Sequence, residues 1–260
     1  MFIKRFGWLV LMLTASSPVP ARAGDAVPVV FDTDICGDCD DVLALAMLHA
    51  LESRGVCKIV AVTVSVRHDL AAPFVDAVNT FYGRGQIPIG AVGPGGVVEQ
   101  SAFLSLAAER DGPALRYPRT LGLLGSAAPD ATAVLRKALA GQPDGSVVMV
   151  QVGFSTNLAR LLESPPDAES SLTGLELVRK KVKLLSLMAG AFTPNKAEPH
   201  YLEYNVKRDV ASAKAVAALW PTDVVWSGFE IGEALPYPHQ SIERDFAYIP
   251  HHPAAEAAPE

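Results

Sequence analysis

The sequence predicts an α/β protein: a doubly wound, mostly parallel β-sheet flanked by helices. Three observations lead there. Short apolar runs alternate with helical patterns along most of the chain. The runs are rich in Val, Ile and Leu and nearly continuous in hydrophobicity, as strands are when helices cover both faces of a sheet. Strand–helix alternation of this kind also favours crossover units, and hence parallel pairing.

The elements follow in order. "VPVVF" (27–31) is the first strand, and a helix runs from about Asp41 to Glu52. "KIVAVTVSV" (58–66) is the second strand, followed by a helix near "APFVDAVNTFYGRG" and the short run "IPIGAV". "SVVMVQVG" (146–153) precedes the helical "TNLARLLES". "VKLLSLMAG" (182–190) leads through a loop to the helix "ASAKAVAAL" (211–219), and "DVVWSG" (223–228) closes the series. No internal repeat or long low-complexity linker appears, so the pattern reads as a single domain over 24–260.

The first residues read differently. Lys4 and Arg5 precede the apolar run "FGWLVLMLTA", and Ala21 and Ala23 supply small residues at −3 and −1. That is the pattern of a secretory signal peptide over 1–23, cleaved after Ala23. The run is too short to span a bilayer comfortably. An exported protein is expected, periplasmic or extracellular, with no stable membrane insertion after cleavage.

Composition narrows the classes further. The formal net charge is −6 and the longest basic block is "RKK" (179–181), which disfavours nucleic-acid binding. Three cysteines (Cys36, Cys39, Cys57) are too few, and odd in number, for a disulfide framework. Whether Cys36 pairs with Cys39 stays open.

The richest stretch is "DTDICGDCDD" (32–41), with Asp32, Asp34, Asp38, Asp40 and Asp41 between the first strand and the first helix. At about 4 Å a like-charged pair costs on the order of several kcal/mol at intermediate dielectric. Helix capping accounts for Asp40 and Asp41. It leaves Asp32 and Asp34, at the strand end, unexplained. A hard, oxygen-seeking cation would relieve the crowding, and no His or Cys set with zinc spacing accompanies the carboxylates. An EF-hand loop starting at Asp32 fails at Cys36 and at Leu43, where the bidentate Glu belongs. A haloacid-dehalogenase-type start (Asp32, Asp34) has no convincing downstream acidic pair. "CGDC" lies in a thioredoxin-like context, but the surrounding carboxylates disfavour a thiolate.

This stretch resembles the D-T/C-D-P-G-x-D-D-A signature of the nucleoside hydrolase family, the inosine–uridine-preferring N-ribohydrolases. It is a longer variant, with two extra residues before Asp40 and Asp41. Other segments match in the family's order: "VQVGFSTNLARLL", "MAGAF", "EYNVKRDVASAKAV" and "VVWSGFEIG". The likeness runs from about residue 27 to 250. It implies the nucleoside hydrolase fold, which is Rossmann-like. It also implies Ca2+-dependent hydrolysis of the N-glycosidic bond of a ribonucleoside or related ribosyl compound, giving ribose and free base.

Residue by residue, the resemblance implies that Asp34 binds Ca2+ and acts as general base on the attacking water. Asp41 would be a bidentate metal ligand and the Thr156 backbone carbonyl another. Asp40, Glu203 and Asn205 would hold ribose hydroxyls with Met188 packing nearby, and Asp32 would orient the loop from behind. Homodimers or homotetramers are common in the family. Two departures stand out. Arg67 and His68, in what reads as a solvated loop, lie near the place of the family's Gly-Asn. The sequence ends "HHPAAEAAPE" without the family's late His/Trp–Asp segment, so the domain reads as C-terminally short. The alternative expectation is therefore a catalytically impaired relative that binds a sugar or nucleoside without turnover.

Overall fold

The computed structural model describes residues 26–122, 128–193 and 201–258; the expected signal peptide lies outside them. Six parallel strands form one sheet in the order β3-β2-β1-β6-β7-β8: β1 Val27–Thr33, β2 Cys57–Val64, β3 Ile89–Ala91, β6 Val147–Gln151, β7 Val182–Met188 and β8 Asp223–Ser227. Between β3 and β6, Arg110–Asp111 (β4) pairs antiparallel with Ala114–Leu115 (β5) after a short 3-10 turn, Leu104–Ala108. All six predicted strands form, within a few residues of their expected limits.

Val29 and Phe31 belong to one buried cluster and Val30 to another, the period-2 alternation of a strand covered on both sides. On the first face lie α1 (Asp40–Ser53), α2 (Ala71–Phe81) and α10 (Pro253–Ala257). On the second lie α3 (Ala131–Ala140), α4 (Thr156–Glu163), α5 (Gly174–Lys181) and α7 (Val210–Leu219). Each wholly buried Leu, Val or Phe there contributes about 1.5–3 kcal/mol. Three short helices complete the chain: α6 (Tyr204–Arg208), α8 (Phe229–Ala234) and α9 (His239–Asp245). None of the described helices is long and apolar enough to cross a membrane.

Two helices absent from the sequence reading have local causes. Asp130 caps α3 by accepting from the Thr132 and Ala133 amides. Thr173 and Glu176 form a reciprocal capping box at α5. Likewise α6, expected as loop, starts where the Glu203 carboxylate accepts from the Asn205 and Val206 amides.

The strand order reverses between β1 and β6. From β1 the chain winds outward to β2 and β3, then returns to β6 and winds the other way. Ligands in such sheets bind beyond the carboxyl ends of the strands at this reversal. Asp32 and Asp34 leave β1 there, and Gly153 to Asn157 leave β6 beside them.

Candidate active site

Asp32, near the end of β1, is 1% exposed. Its Oδ2 accepts from Thr63 Oγ1 at 2.5 Å and from Asn157 Nδ2 at 2.8 Å. Its Oδ1 has no hydrogen-bond partner among the described residues. Burial pushes its pKa up to about 7. It lies at the base of the aspartate loop, tied to β2 through Thr63 and to α4 through Asn157.

Asp41, in the first turn of α1, turns back toward β1. Its Oδ2 accepts from Thr33 Oγ1 at 2.5 Å and from the Ile35 amide at 2.8 Å. Ile35 itself is fully buried with φ 26°, a left-handed backbone that a β-branched residue adopts only when its surroundings hold it there. That turn brings the Asp34 and Asp41 carboxyl groups within hydrogen-bonding reach of each other. Burial first, then the charge of Asp34, raises the Asp41 pKa well above the usual carboxylate range. Burial likewise raises Asp34 to about 6, although the bond to Asp41 opposes the rise. A buried carboxylate against a half-buried one calls for a proton or a cation between them.

The β6 side closes the site. A Cβ at Gly153 would stand 2.3 Å from the Asp34 amide nitrogen, so only glycine permits this approach. Ser65 ties the two loops together: its amide donates to the Thr33 carbonyl at 2.8 Å, and its Oγ accepts from the Phe154 amide at 3.1 Å. Thr156, the first residue of α4, donates from Oγ1 to Asp209 Oδ2 at 2.6 Å. Asp209 in turn caps α7 through Ser212. The position of Thr156 is therefore fixed from two helices.

Beyond β7, Met188 Sδ lies 3.3 Å from Asn205 Nδ2, and the same amide donates to the Val152 carbonyl at 2.9 Å. Glu203 spends Oε1 on the Asn205 amide and Oε2 on the Gly190 and Val206 amides. It holds the Asn205 turn against the end of β7. Asp40 sits at the rim, and together with Met188 it lines one end of a cavity of about 760 Å3. That cavity continues along α1 past Leu43 and Met47 to Phe229, Tyr237 and Tyr248.

The three cysteines are free thiols. Burial, then the charges of Asp34 and Glu99, pushes Cys36 up to about 12, which keeps it protonated and unsuited to redox attack. Thr33, Asn157 and Asp209 were missed as individual positions, although all three lie inside the quoted motifs "DTDICGDCDD", "VQVGFSTNLARLL" and "EYNVKRDVASAKAV".

The donor set suits a hard divalent ion in kind: two adjoining carboxylates, neither committed to a cation, beside the β6 loop that leads from Gly153 into Thr156. The orphaned Oδ1 of Asp32 shows how much acceptor capacity this pocket concentrates. Among the described residues no three His, Cys, Asp or Glu side chains gather as a metal site, so carbonyls and water would complete the shell.

The family model for inosine-uridine preferring nucleoside hydrolases matches residues 29–254. The chain belongs to this family. Its fold is shared with the effector protein XOO4466 (TM-score 0.66, 18% identity, 91% of this chain and 65% of that one). The type III effector XopQ, solved with adenosine diphosphate ribose, gives TM-score 0.64 at 18% identity over 91% of this chain and 65% of that one. The plant nucleoside hydrolase PpNRh1 gives 0.58 at 23% identity over 84% and 64%. This nucleoside hydrolase relative thus spans just under two thirds of the length of those three proteins. No curated protein matches it significantly.

Proposed function

We propose that this chain hydrolyses the N-glycosidic bond of a ribonucleoside or related ribosyl compound, with Ca2+ as cofactor, releasing ribose and the free base. The observation that carries the reading is the meeting of half-buried Asp34 with buried Asp41 at the reversal of the sheet, where Gly153 packs against the Asp34 backbone three residues before Thr156. Asp34, Asp41 and the Thr156 carbonyl would hold the ion. Bound there, it supplies positive charge that acidifies water and grips sugar hydroxyls.

The rest is the work of this chain's own residues. Asp34, ionised beside the cation, takes a proton from the attacking water. Asp40 at the rim and the amide oxygen of Asn205 accept from ribose hydroxyls, with Met188 beneath the ring. Glu203 contributes by holding Asn205 in place. The carboxylates stabilise the oxocarbenium-like sugar as the base departs. The apolar cavity reached past Asp40 and Met188 has room for a leaving group.

Calorimetry with CaCl2, followed by reducing-sugar release from a nucleoside panel, tests the proposal. Metal binding together with ribose release that Asp34→Ala abolishes supports it. Among the described residues no third acidic, His or Cys side chain joins Asp34 and Asp41 as a metal site, which favours a second reading, a relative that binds a sugar or nucleoside without turnover. Ligand binding with no ribose released from any substrate would select that reading. The ADP-ribose complex of XopQ supports extending the panel beyond simple nucleosides. Export and a homodimeric or homotetrameric assembly belong to the same proposal, and fractionation and light scattering check them.

A further inference from the structure

A second hollow, of about 620 Å3, opens beside the aspartate loop. Arg67 to Leu70, just past the end of β2, line one side, and Val98 to Gln100 line the other. The Arg67 amide donates to the Val97 carbonyl at 2.7 Å, which holds the two segments together. The far segment reaches the site directly, because Cys36 Sγ donates to the Gln100 carbonyl at 3.3 Å. Since β2 is the neighbour of β1, the hollow opens at the same end of the sheet as Asp34.

Its charges are not equivalent. Glu99 is committed: it pairs with Arg208 and accepts from Tyr204 Oη at 2.8 Å. Asp69 lies out in solvent. Arg67 is exposed and has no ion pair or side-chain hydrogen bond among the described residues. His68 Nδ1 accepts from the Leu70 amide at 3.1 Å, so in the neutral ring Nε2 carries the proton and donates. Arg67 and His68 therefore offer unused donors, one of them a permanent cation with a fork suited to a phosphoryl group.

We infer that this hollow takes an anionic phosphoryl substituent on the sugar, so that the preferred substrate is a phosphorylated ribosyl compound rather than a bare nucleoside. The inference rests on the ribosyl-substrate reading above and names its substrate class. A guanidinium–phosphoryl pair with a second donor is worth roughly tenfold or more in affinity.

The test compares kcat/KM for a ribonucleoside and its 5′-monophosphate, with CaCl2 present, in wild type, Arg67→Gln and His68→Ala. In parallel, calorimetry measures ribose 5-phosphate, ribose and inorganic phosphate. The expected result is a preference of roughly tenfold or more for the phosphorylated substrate, which falls toward unity in Arg67→Gln. Equal kcat/KM for both substrates overturns the inference, as does a preference that persists in both variants. Inorganic phosphate binding as tightly as ribose 5-phosphate also overturns it, since the hollow would then be a general anion site. If nothing is hydrolysed, the catalytic reading fails but calorimetry still decides this one. Ribose 5-phosphate binding above ribose and lost in Arg67→Gln supports it, and no difference between the two ligands sinks it.

Discussion

Gly153 and Asp34 approach so closely that a methyl group on the glycine would lie 2.3 Å from the Asp34 amide nitrogen. The obstructing atom is backbone, so no side-chain rotation relieves the contact. Gly153→Ala is expected to cost about 1–3 kcal/mol of stability and to displace the aspartate loop. Urea denaturation and Ca2+ calorimetry check this together. Wild-type calcium binding in a fully stable Gly153→Ala variant would show that the loop is not held from β6.

Asp34→Asn keeps the size of the side chain and removes its basicity. A positioned general base contributes about 10^2–10^4-fold, so kcat should fall within that range. Ribose release under single-turnover conditions measures it. An undiminished rate would move the base to another residue.

Asp41→Asn separates stability from ion binding. Without metal, the variant no longer buries a second carboxylate against Asp34, while its amide oxygen still accepts from Thr33 and Ile35. Its melting temperature in EDTA should therefore rise. The stabilisation that CaCl2 gives the wild type should vanish. A variant less stable than wild type in EDTA and still stabilised by calcium contradicts both parts.

The pH dependence has a definite sign. Asp32 and Asp34 have folded pKa values of about 7 and about 6, raised from 3.8. Their contribution to stability is fully present below pH 3.8 and is lost as pH rises through about 6 and 7. The slope is about 1.4 kcal/mol per pH unit for each proton the folded state retains. His49 and His252 act in the opposite sense. Burial lowers both to about 4, so their contribution is lost as pH falls from 6.5 through 4. The difference between urea midpoints in EDTA and in CaCl2 isolates the carboxylates, because the histidines lie away from the ion. That difference should grow from pH 5 to 7, and a flat profile would be decisive against cation binding by these aspartates.

Thr156→Val removes the hydroxyl donated to Asp209 and leaves the backbone carbonyl in place. A loss of about 1–3 kcal/mol is expected for the half-buried carboxylate deprived of its partner, with weaker calcium binding. Thermal melts and calorimetry supply both readouts. Unchanged calcium affinity would free the Thr156 carbonyl from any dependence on its side chain.

The inner strands were legible because each is a Val-, Ile- or Leu-rich run that helices cover on both faces, whereas the edge strand β8 was legible from its short apolar run although Val225 and Trp226 stay exposed. Helices α3 and α5 were overlooked although Asp130 and the Thr173–Glu176 box mark their starts. In those segments the apolar pattern carries less information than the caps. At the site, five aspartates in ten residues announced themselves by charge density alone. Asn157 and Asp209 did not, because their roles come from bonds across the fold: Asn157 reaches Asp32 over 125 positions and Thr156 reaches Asp209 over 53, while Thr33, whose partner Asp41 is close in sequence, was hidden among the aspartates. No local pattern encodes such partners. Glu203 was legible as a position, whereas its three backbone bonds become visible only once α6 is folded.

The central place of β1 has a consequence for biosynthesis. The first strand to leave the ribosome acquires its second neighbour only when residue 147 and beyond have been made, and the aspartate turn acquires its Thr156–Asp209 brace later still. Throughout that interval the nascent chain carries an acidic turn with no counterion scaffold and one bare strand edge. Distant pairings of this kind fold slowly and leave apolar surface exposed. Expression yield should therefore respond more to holdase chaperones and slow induction than to calcium in the medium, since Thr156 and its partner Asp209 emerge long after the aspartate turn.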